Sequence, residues 1–267
     1  MPRRARLDAE LVRRGLARSR EHASELIAAG KVKVAGTPAT KPATGVTQDV
    51  AIVVDTSAND DPGYASRGAY KLLGALEAFM PQGLEVEGRR CLDAGASTGG
   101  FTDVLLRNGA KHVVAVDVGY GQLVWALQND DRVTVLDRTN VRTLTEEAIG
   151  GPVHLTVGDL SFISLTLVLP ALTTVTEEDL VLMVKPQFEV GKERLGKGGV
   201  VWAPELRADA VRQVARAAAE ESWGVQGVTA SPLPGPSGNV EYFLWMRRAA
   251  PPLDETMLAT AIHTGPR

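Results

Sequence analysis

Residues 91–106, CLDAGASTGGFTDVLL, pass from an apolar run through small residues and glycines into a second apolar stretch. Such a pattern predicts a strand, a tight turn and a helix. Glycine has no Cβ, so a turn of this kind lets a nucleotide-like ligand approach the backbone. The turn raises two questions at once: which fold carries it, and which ligand it holds.

Around the turn the pattern alternates. GAYKLLGALEAFM (68–80) reads as a helix, RCLDA (90–94) as a buried strand and 100–108 as the next helix. HVVAVD (112–117), VTVLD (133–137), VHLTVGD (153–159) and LVLMVK (180–185) follow as strands, with a helix at 122–128 between the first two. A long helix from Pro204 precedes GVQGVTA (224–230) and VEYFLWM (240–246). Val/Leu-rich runs separated by helices predict an α/β, Rossmann-like fold with a mostly parallel sheet covered on both faces. The last two strands have no helix between them, so they should pair antiparallel at one edge.

Upstream, Leu7–Arg14 and Ser19–Ala29 predict two short helices, and KVKVAG (31–36) and VAIVV (50–54) two strands. This is a small α+β unit. The expected organisation is a head over 1–58, a linker over 59–66 inside the polar stretch DTSANDDPGYAS, a body over 67–248 and a tail over 249–267. The net charge of −3 conceals an asymmetry: residues 1–45 hold ten Lys/Arg and four Asp/Glu, leaving 19 and 28 for the rest. A basic head on an acidic body suggests that the head meets a polyanion.

No apolar stretch approaches the about 18 residues needed to span a bilayer. The basic N-terminus has no apolar segment after it, so no secretory signal is expected. Cys91 is the single cysteine, which excludes an internal disulfide, and its place in a strand predicts a buried, inert thiol. A reducing cytoplasm is the expected location. The four histidines (22, 112, 154, 263) are scattered without ligand spacing, and no metal site is expected.

Three ligands compete for the glycine turn. A phosphate-binding loop needs Lys after its last glycine, where this chain has Phe101. A dinucleotide site needs G-x-G-x-x-G, which residues 95–100 do not match. What remains is D-x-G-x-x-x-G-G, with Asp93 near the tip of the first strand and Asp117 at the tip of the second. A carboxylate at the second tip suits the two ribose hydroxyls of an adenosine ligand. A ligand bearing an amino acid instead of a diphosphate needs no lysine, and S-adenosylmethionine is such a ligand. The competing explanation is a turn that only packs a helix on a strand. Candidate cofactor contacts are Asp93, Gly95, Ala96, Ser97, Thr98, Gly99 and Phe101, with Asp117, Val118, Asn140 and Asp159.

A second constellation stands at the carboxyl edge of the expected sheet, where doubly wound folds place their sites. Asp159 ends the fourth strand, Lys185 ends the fifth, Glu241 opens the last, and Lys71 lies on the helix before the first. Charges at the ends of buried strands are costly unless paired, and these four can satisfy one another. Two clustered ammonium groups in a partly dry site would also lower a lysine pKa and make it a usable general base.

Lys71, Asp159, Lys185 and Glu241, with DAGASTGGFT, resemble the K-D-K-E tetrad and cofactor loop of FtsJ/RrmJ-like ribose 2'-O-methyltransferases. The motifs RLDAELVRRGLARSREHASELIAAGKVKV, SRGAYKLLGALEAF, DVGYGQL, DLSFISL, VKPQFEVGK and PSGNVEYFLW together resemble the TlyA family over residues 3–248. That resemblance implies an S4 RNA-binding domain followed by a class I methyltransferase domain. It implies S-adenosylmethionine as cofactor and cytidine 2'-O-methylation of ribosomal RNA in the 30S and 50S subunits, linked to susceptibility to capreomycin-type antibiotics. Long-form relatives carry Arg-x-Trp-Val before SRG; this chain has Pro62-Gly63-Tyr64-Ala65. By the same resemblance, Lys185 would take the 2'-hydroxyl proton, Asp159 would hold Lys185, Lys71 would orient the ribose and Glu241 would fix Lys71. In the head, Arg6, Arg18, Ser19, Arg20, Lys31, Lys33 and Lys41 are candidate phosphate contacts. Phe188 could stack on a displaced base. The rival readings are a non-catalytic RNA-binding assembly factor and, from the haemolysin label on relatives, a membrane-active protein. The missing amphipathic lysine-rich helix speaks against the latter.

Overall fold

The computed structural model describes residues 5–14, 16–17, 20–47, 50–54 and 63–266. Two units divide the chain, Met1–Ser66 and Arg67–Arg267. In the first, β1 (Ala5–Arg6), α1 (Leu7–Arg13), α2 (Arg20–Ala28), β2 (Val32–Val34), β3 (Thr37–Pro38), β4 (Gly45–Val46) and β5 (Ile52–Val54) follow in order. Leu7, Leu11, Ala23, Leu26 and Ile27 recur at helical spacing and bury together with Val32 and Val46. Ala35 and Gly36 both take positive φ, 48° and 81°, which makes the tight reversal between β2 and β3. β3 and the β1–β4 pair, each only two residues per strand, go beyond the predicted elements.

The second unit is built on a seven-stranded sheet in the order β11-β12-β10-β9-β6-β7-β8. Its strands are β6 (Arg90–Ala94), β7 (His112–Val116), β8 (Val133–Leu136), β9 (Val153–Gly158), β10 (Thr176–Val184), β11 (Trp223–Ala230) and β12 (Tyr242–Arg248). β8, β7, β6, β9 and β10 run parallel, and β12 is antiparallel to both β10 and β11. The antiparallel strand therefore lies one place in from the edge, and β11 closes that edge.

Helices cover both faces. α3 (Gly68–Phe79) and α4 (Gly100–Arg107) lie on one, where Phe79 meets Trp245 at 5.4 Å and Phe101 meets Phe243 at 6.0 Å. α7 (Leu169–Val175), α9 (Pro204–Glu220) and α10 (Glu255–Thr264) lie on the other, with Leu172, Val211, Val214 and Leu258 packed against Leu92, Leu182 and Leu244. Short helices α5 (Trp125–Gln128), α6 (Glu146–Ile149) and α8 (Pro186–Glu189) complete the connections. α9 begins at Pro204 as its first residue, with Ala208, Val211, Ala215 and Ala218 forming the buried stripe.

Two segments differ from expectation. β10 starts at Thr176, four residues before the predicted strand, because Asp179 inside it is satisfied across the sheet: Trp245 Nε1 donates to it at 2.6 Å and Arg247 Nε at 2.8 Å. After 248 the chain passes two prolines and forms the short helix that the sequence allows there, and no signal in the sequence showed that Leu258 and Ala261 of α10 would be buried in the core.

Candidate active site

Side chains alternate along a strand, so residues two apart share a face. Phe243 and Trp245 point toward α3 and α4, and Glu241, two residues before Phe243, follows the same side. Lys71 on α3 meets it there: its Nζ lies 2.6 Å from Glu241 Oε2 and 4.0 Å from Asp159 Oδ2. Lys185, just after β10, places its Nζ 2.5 Å from Asp159 Oδ1 and donates to Ser161 Oγ at 2.8 Å. The four charges chosen from the sequence thus form one chain, Glu241–Lys71–Asp159–Lys185. Glu241 is fully buried, and Lys185 is 7% exposed. Room for Glu241 comes from Gly235, where a Cβ would stand 2.6 Å from Oε1.

A cavity of about 480 Å³ opens beside this chain. Six of the candidate cofactor contacts, Gly95, Ser97, Asp117, Val118, Asn140 and Asp159, line it. Asp117 joins two loops, accepting from Ser97 N at 2.8 Å and Gly119 N at 2.7 Å. Gly95 has φ +87°, and a Cβ there would sit 2.8 Å from the Asp159 carbonyl oxygen.

Asp93, Ala96, Thr98, Gly99 and Phe101 do not line the cavity. Asp93 lies one residue inside β6, on the face covered by α4, where Thr102 Oγ1 donates to its Oδ2 at 2.7 Å. Its Oδ1 has no partner among the described residues. Burial pushes its carboxyl up to about 7, against the pull of Thr102. At Gly99, φ +99°, a Cβ would collide with Leu123 and Leu127, so this glycine serves helix packing. Phe101 packs on Phe243 instead of facing the cavity. Burial also raises the Cys91 thiol to about 12, in keeping with an inert side chain.

Sequence reasoning missed Ser161, Phe162 and Ile163, which continue the cavity wall beyond Asp159. Phe162 is 91% exposed at φ +64°, and its ring lies 5.3 Å from that of Phe188. The signal was the polar-apolar alternation of DLSFISL just after a strand end, where loops carry sites. Phe188 lies beside the tetrad, its ring centroid 6.0 Å from Lys185 Nζ.

A profile described as FtsJ-like methyltransferase matches residues 64–248, and one described as S4 domain matches 5–52. Over 249 residues the chain is 65% identical to the 16S/23S rRNA (cytidine-2'-O)-methyltransferase TlyA of Mycobacterium tuberculosis, covering 92% of this chain and 91% of that protein. The chain belongs to the TlyA family of FtsJ-like methyltransferases. Another family relative, Hemolysin A of Brachyspira hyodysenteriae, is 36% identical, covering 89% of this chain and 97% of that one. A solved structure from Streptococcus thermophilus that carries a hemolysin label aligns with a TM-score of 0.74 at 35% identity, covering 98% and 96% of the two chains. Among the described residues no helix is long and apolar enough to cross a membrane, and no cluster of His, Cys, Asp or Glu could hold a metal.

The TlyA-family head presents its expected basic residues unevenly. Arg6 and Arg20 converge on one buried carboxylate, Asp8, with NH2 atoms at 3.0 and 2.9 Å from its Oδ2. The Arg6 hydrogen bond, with help from Arg20, holds the Asp8 carboxyl down at about 2. Both arginines stay more than half exposed. Lys33 and Lys41 are exposed and Lys31 is half-buried, while Arg18 and Ser19 lie outside the described residues.

Proposed function

We propose that this chain transfers a methyl group from S-adenosylmethionine to the 2'-oxygen of a cytidine ribose in ribosomal RNA, in both the 30S and the 50S subunits, and works in the cytoplasm. The observation that carries the reading is Lys185, held directly behind the cavity by Asp159 and Ser161, two residues of its wall, at the carboxyl ends of the strands.

The cavity's donor set suits that cofactor. Its volume falls in the range of small-molecule sites. Val116, Val141 and Ile163 supply apolar walls for an adenine ring, and Asp117 retains lone pairs for ribose hydroxyls beyond its two backbone bonds. Asp159 adds a second carboxylate to the wall, and among the described residues no lysine or arginine side chain lines the cavity itself. Gly95 lets the loop backbone lie against the Asp159 carbonyl, 2.8 Å from where a Cβ would stand, and so keeps the two edges of the cavity close together. When bound, S-adenosylmethionine supplies a methyl group already activated on a positively charged sulfur.

The residues of the chain then supply position and proton handling. As the neutral amine, its own proton given up to solvent beforehand, Lys185 accepts the 2'-hydroxyl proton at Nζ, and Asp159 and Ser161 fix where that nitrogen points. Lys71 orients the ribose and is itself fixed by Glu241. Positioning of this kind supplies much of the acceleration for a transfer whose donor is already activated. The S4-type head holds RNA through its phosphates, which gives affinity and register without reading bases. The sequence of TlyA from M. tuberculosis supports cytidine and both subunits as the substrate, through its identity across nearly the whole chain.

The test is transfer of tritiated methyl from S-adenosylmethionine to unmodified 30S and 50S subunits, with Lys185→Ala alongside. Incorporation by the parent alone, at sites that stall reverse transcriptase at low dNTP, supports the reading. No incorporation into either subunit would replace it with a non-catalytic RNA-binding factor.

A further inference from the structure

We propose that Glu189 is a positioning residue that latches the wall of the cofactor cavity to the turn carrying Lys185, holding the two in one register. The inference rests on the methyl-transfer reading above and names a part of that site beyond its four charged residues.

Residues 159–163 line the cavity directly after β9. Ser161 and Phe162 are exposed, and Phe162 sits in the left-handed region of backbone space. Leu160 and Ile163 pack against the core on either side of them, so what must be fixed is the exposed part between. Its ties run to one helical turn, Lys185 and α8. Lys185 Nζ reaches Ser161 Oγ at one end, and the Phe162 and Phe188 rings meet in the middle. At the other end Glu189 Oε1 accepts from Leu165 N at 2.8 Å and Oε2 from Ser164 Oγ at 2.5 Å.

Glu189 is 6% exposed, and no salt bridge to it occurs among the described residues. Burial pushes its pKa up, opposed by those same two hydrogen bonds. If only packing were required, leucine or methionine would fill the space without the cost of burying a carboxyl group. What the carboxylate adds is a pair of acceptors at fixed spacing, one on a backbone N–H and one on a hydroxyl. Lys185 and Glu189 lie four residues apart, so the two ends of one turn grip the loop on both sides of Phe162. A slip of the loop would move Ser161 away from Lys185 and shift the cavity wall together.

Two variants separate hydrogen bonding from packing. Glu189→Leu keeps comparable volume without acceptors. Glu189→Gln keeps the amide oxygen for Leu165 N–H and offers an NH2 to Ser164 Oγ. On the full chain we would measure amide exchange over residues 161–166, S-adenosylmethionine affinity by calorimetry, kcat and KM for subunit methylation, and the melting temperature. Expected for Glu189→Leu are exchange faster by about tenfold, weaker cofactor binding by about threefold and kcat lower by about tenfold, all well below its melting temperature. Glu189→Gln should stay within about threefold of the parent in each. Leucine matching the parent in kcat and cofactor affinity, whatever its melting temperature, overturns the proposal, as does glutamine failing as badly as leucine. Should Glu189→Leu not fold, Ser164→Ala removes one bond of the latch from the loop side and is read by the same exchange and kinetics. A parent that neither binds the cofactor nor methylates RNA would overturn the function itself. The exchange comparison then still shows whether the latch exists.

Discussion

Lys185 and Asp159 come to 2.5 Å from one another at the ends of two neighbouring parallel strands, where β9 stops opposite Leu182 and β10 runs two residues further to Val184. Asp159 also faces Lys71 at 4.0 Å, so one carboxylate stands between two lysines while Glu241 partners the second of them. The two lysines differ in their second partner: Lys185 also bonds Ser161 on the cavity wall, and Lys71 is backed by the fully buried Glu241.

Lys185→Ala should therefore abolish methyl transfer while leaving cofactor affinity within about threefold. Lys185→Arg keeps the positive charge but cannot lose a proton near neutral pH, so it should be as inactive as alanine. Activity in the arginine variant above about a tenth of the parent's would show that charge, and not proton transfer, is what Lys185 contributes.

Glu241→Ala should destabilise the fold by about 3 kcal/mol, since it strips the partner from a lysine that is only 12% exposed. Glu241→Gln retains an acceptor for Lys71 and should cost about half as much. Chemical denaturation of the two variants checks the ordering. Methyl transfer should fall in both, because Lys71 loses its fixed direction.

Gly95→Ala places a Cβ 2.8 Å from the Asp159 carbonyl oxygen on a backbone with φ +87°. The strain costs about 1–3 kcal/mol. The loop moves toward or away from the cavity to relieve it, so cofactor affinity should drop by about tenfold or more. Gly99→Ala would strain the helix contact with Leu123 and Leu127 instead, and should lower stability with less effect on affinity. Calorimetry on the pair distinguishes a ligand-facing glycine from a packing one.

That contrast shows what the sequence could and could not carry. The α/β order was legible because buried parallel strands are unbroken apolar runs, and the tetrad was legible because charge at the end of such a run demands a partner. The motif D-x-G-x-x-x-G-G did not reveal which of its members face the cavity. Strand alternation sends Asp93 under α4 and helix packing claims Gly99, while Gly95 and Ser97 reach the cavity. The early part of β10 was hidden because its acidic residues look like a loop until Arg247 and Trp245, more than sixty positions later, are found across the sheet. Glu189 was hidden for the same reason: its partners are a hydroxyl and a backbone N–H in another segment.

The buried Asp93 gives a pH dependence of definite sign. Its carboxyl titrates near 7 in the folded chain against 3.8 for the ordinary group. The folded state thus binds the proton more tightly than the unfolded one, and stability from this group is present below pH about 4 and lost as pH rises toward 7. The full span is up to about 4 kcal/mol. Asp93→Asn cannot titrate; it keeps an oxygen for Thr102 and adds a constant cost for its buried NH2. Melting temperatures of parent and variant, taken from pH 4.5 to 8, should show the parent losing ground steadily as pH rises. A difference that stays flat with pH would mean that Asp93 is ionised throughout.

In the head, Asp8 stands between Arg6 and Arg20, accepts from Nε and NH2 of each, and neutralises one of their two charges. The trio keeps a net single positive charge, and the N–H groups of the fixed guanidinium groups that do not reach Asp8 remain for a phosphate. Arg20→Glu replaces one cation by a carboxylate next to Asp8, so the local charge becomes negative. KM for ribosomal subunits should rise by about tenfold and the salt dependence of RNA binding should become shallower by about one phosphate contact. S-adenosylmethionine affinity should not change. Arg20→Lys keeps the charge without the fork and should fall between parent and glutamate. Filter binding of a ribosomal RNA fragment across a salt series, run beside cofactor calorimetry, reads the two effects separately. A KM unchanged at moderate salt would remove Arg20 from the phosphate contacts and leave its bond to Asp8 as a purely structural tie.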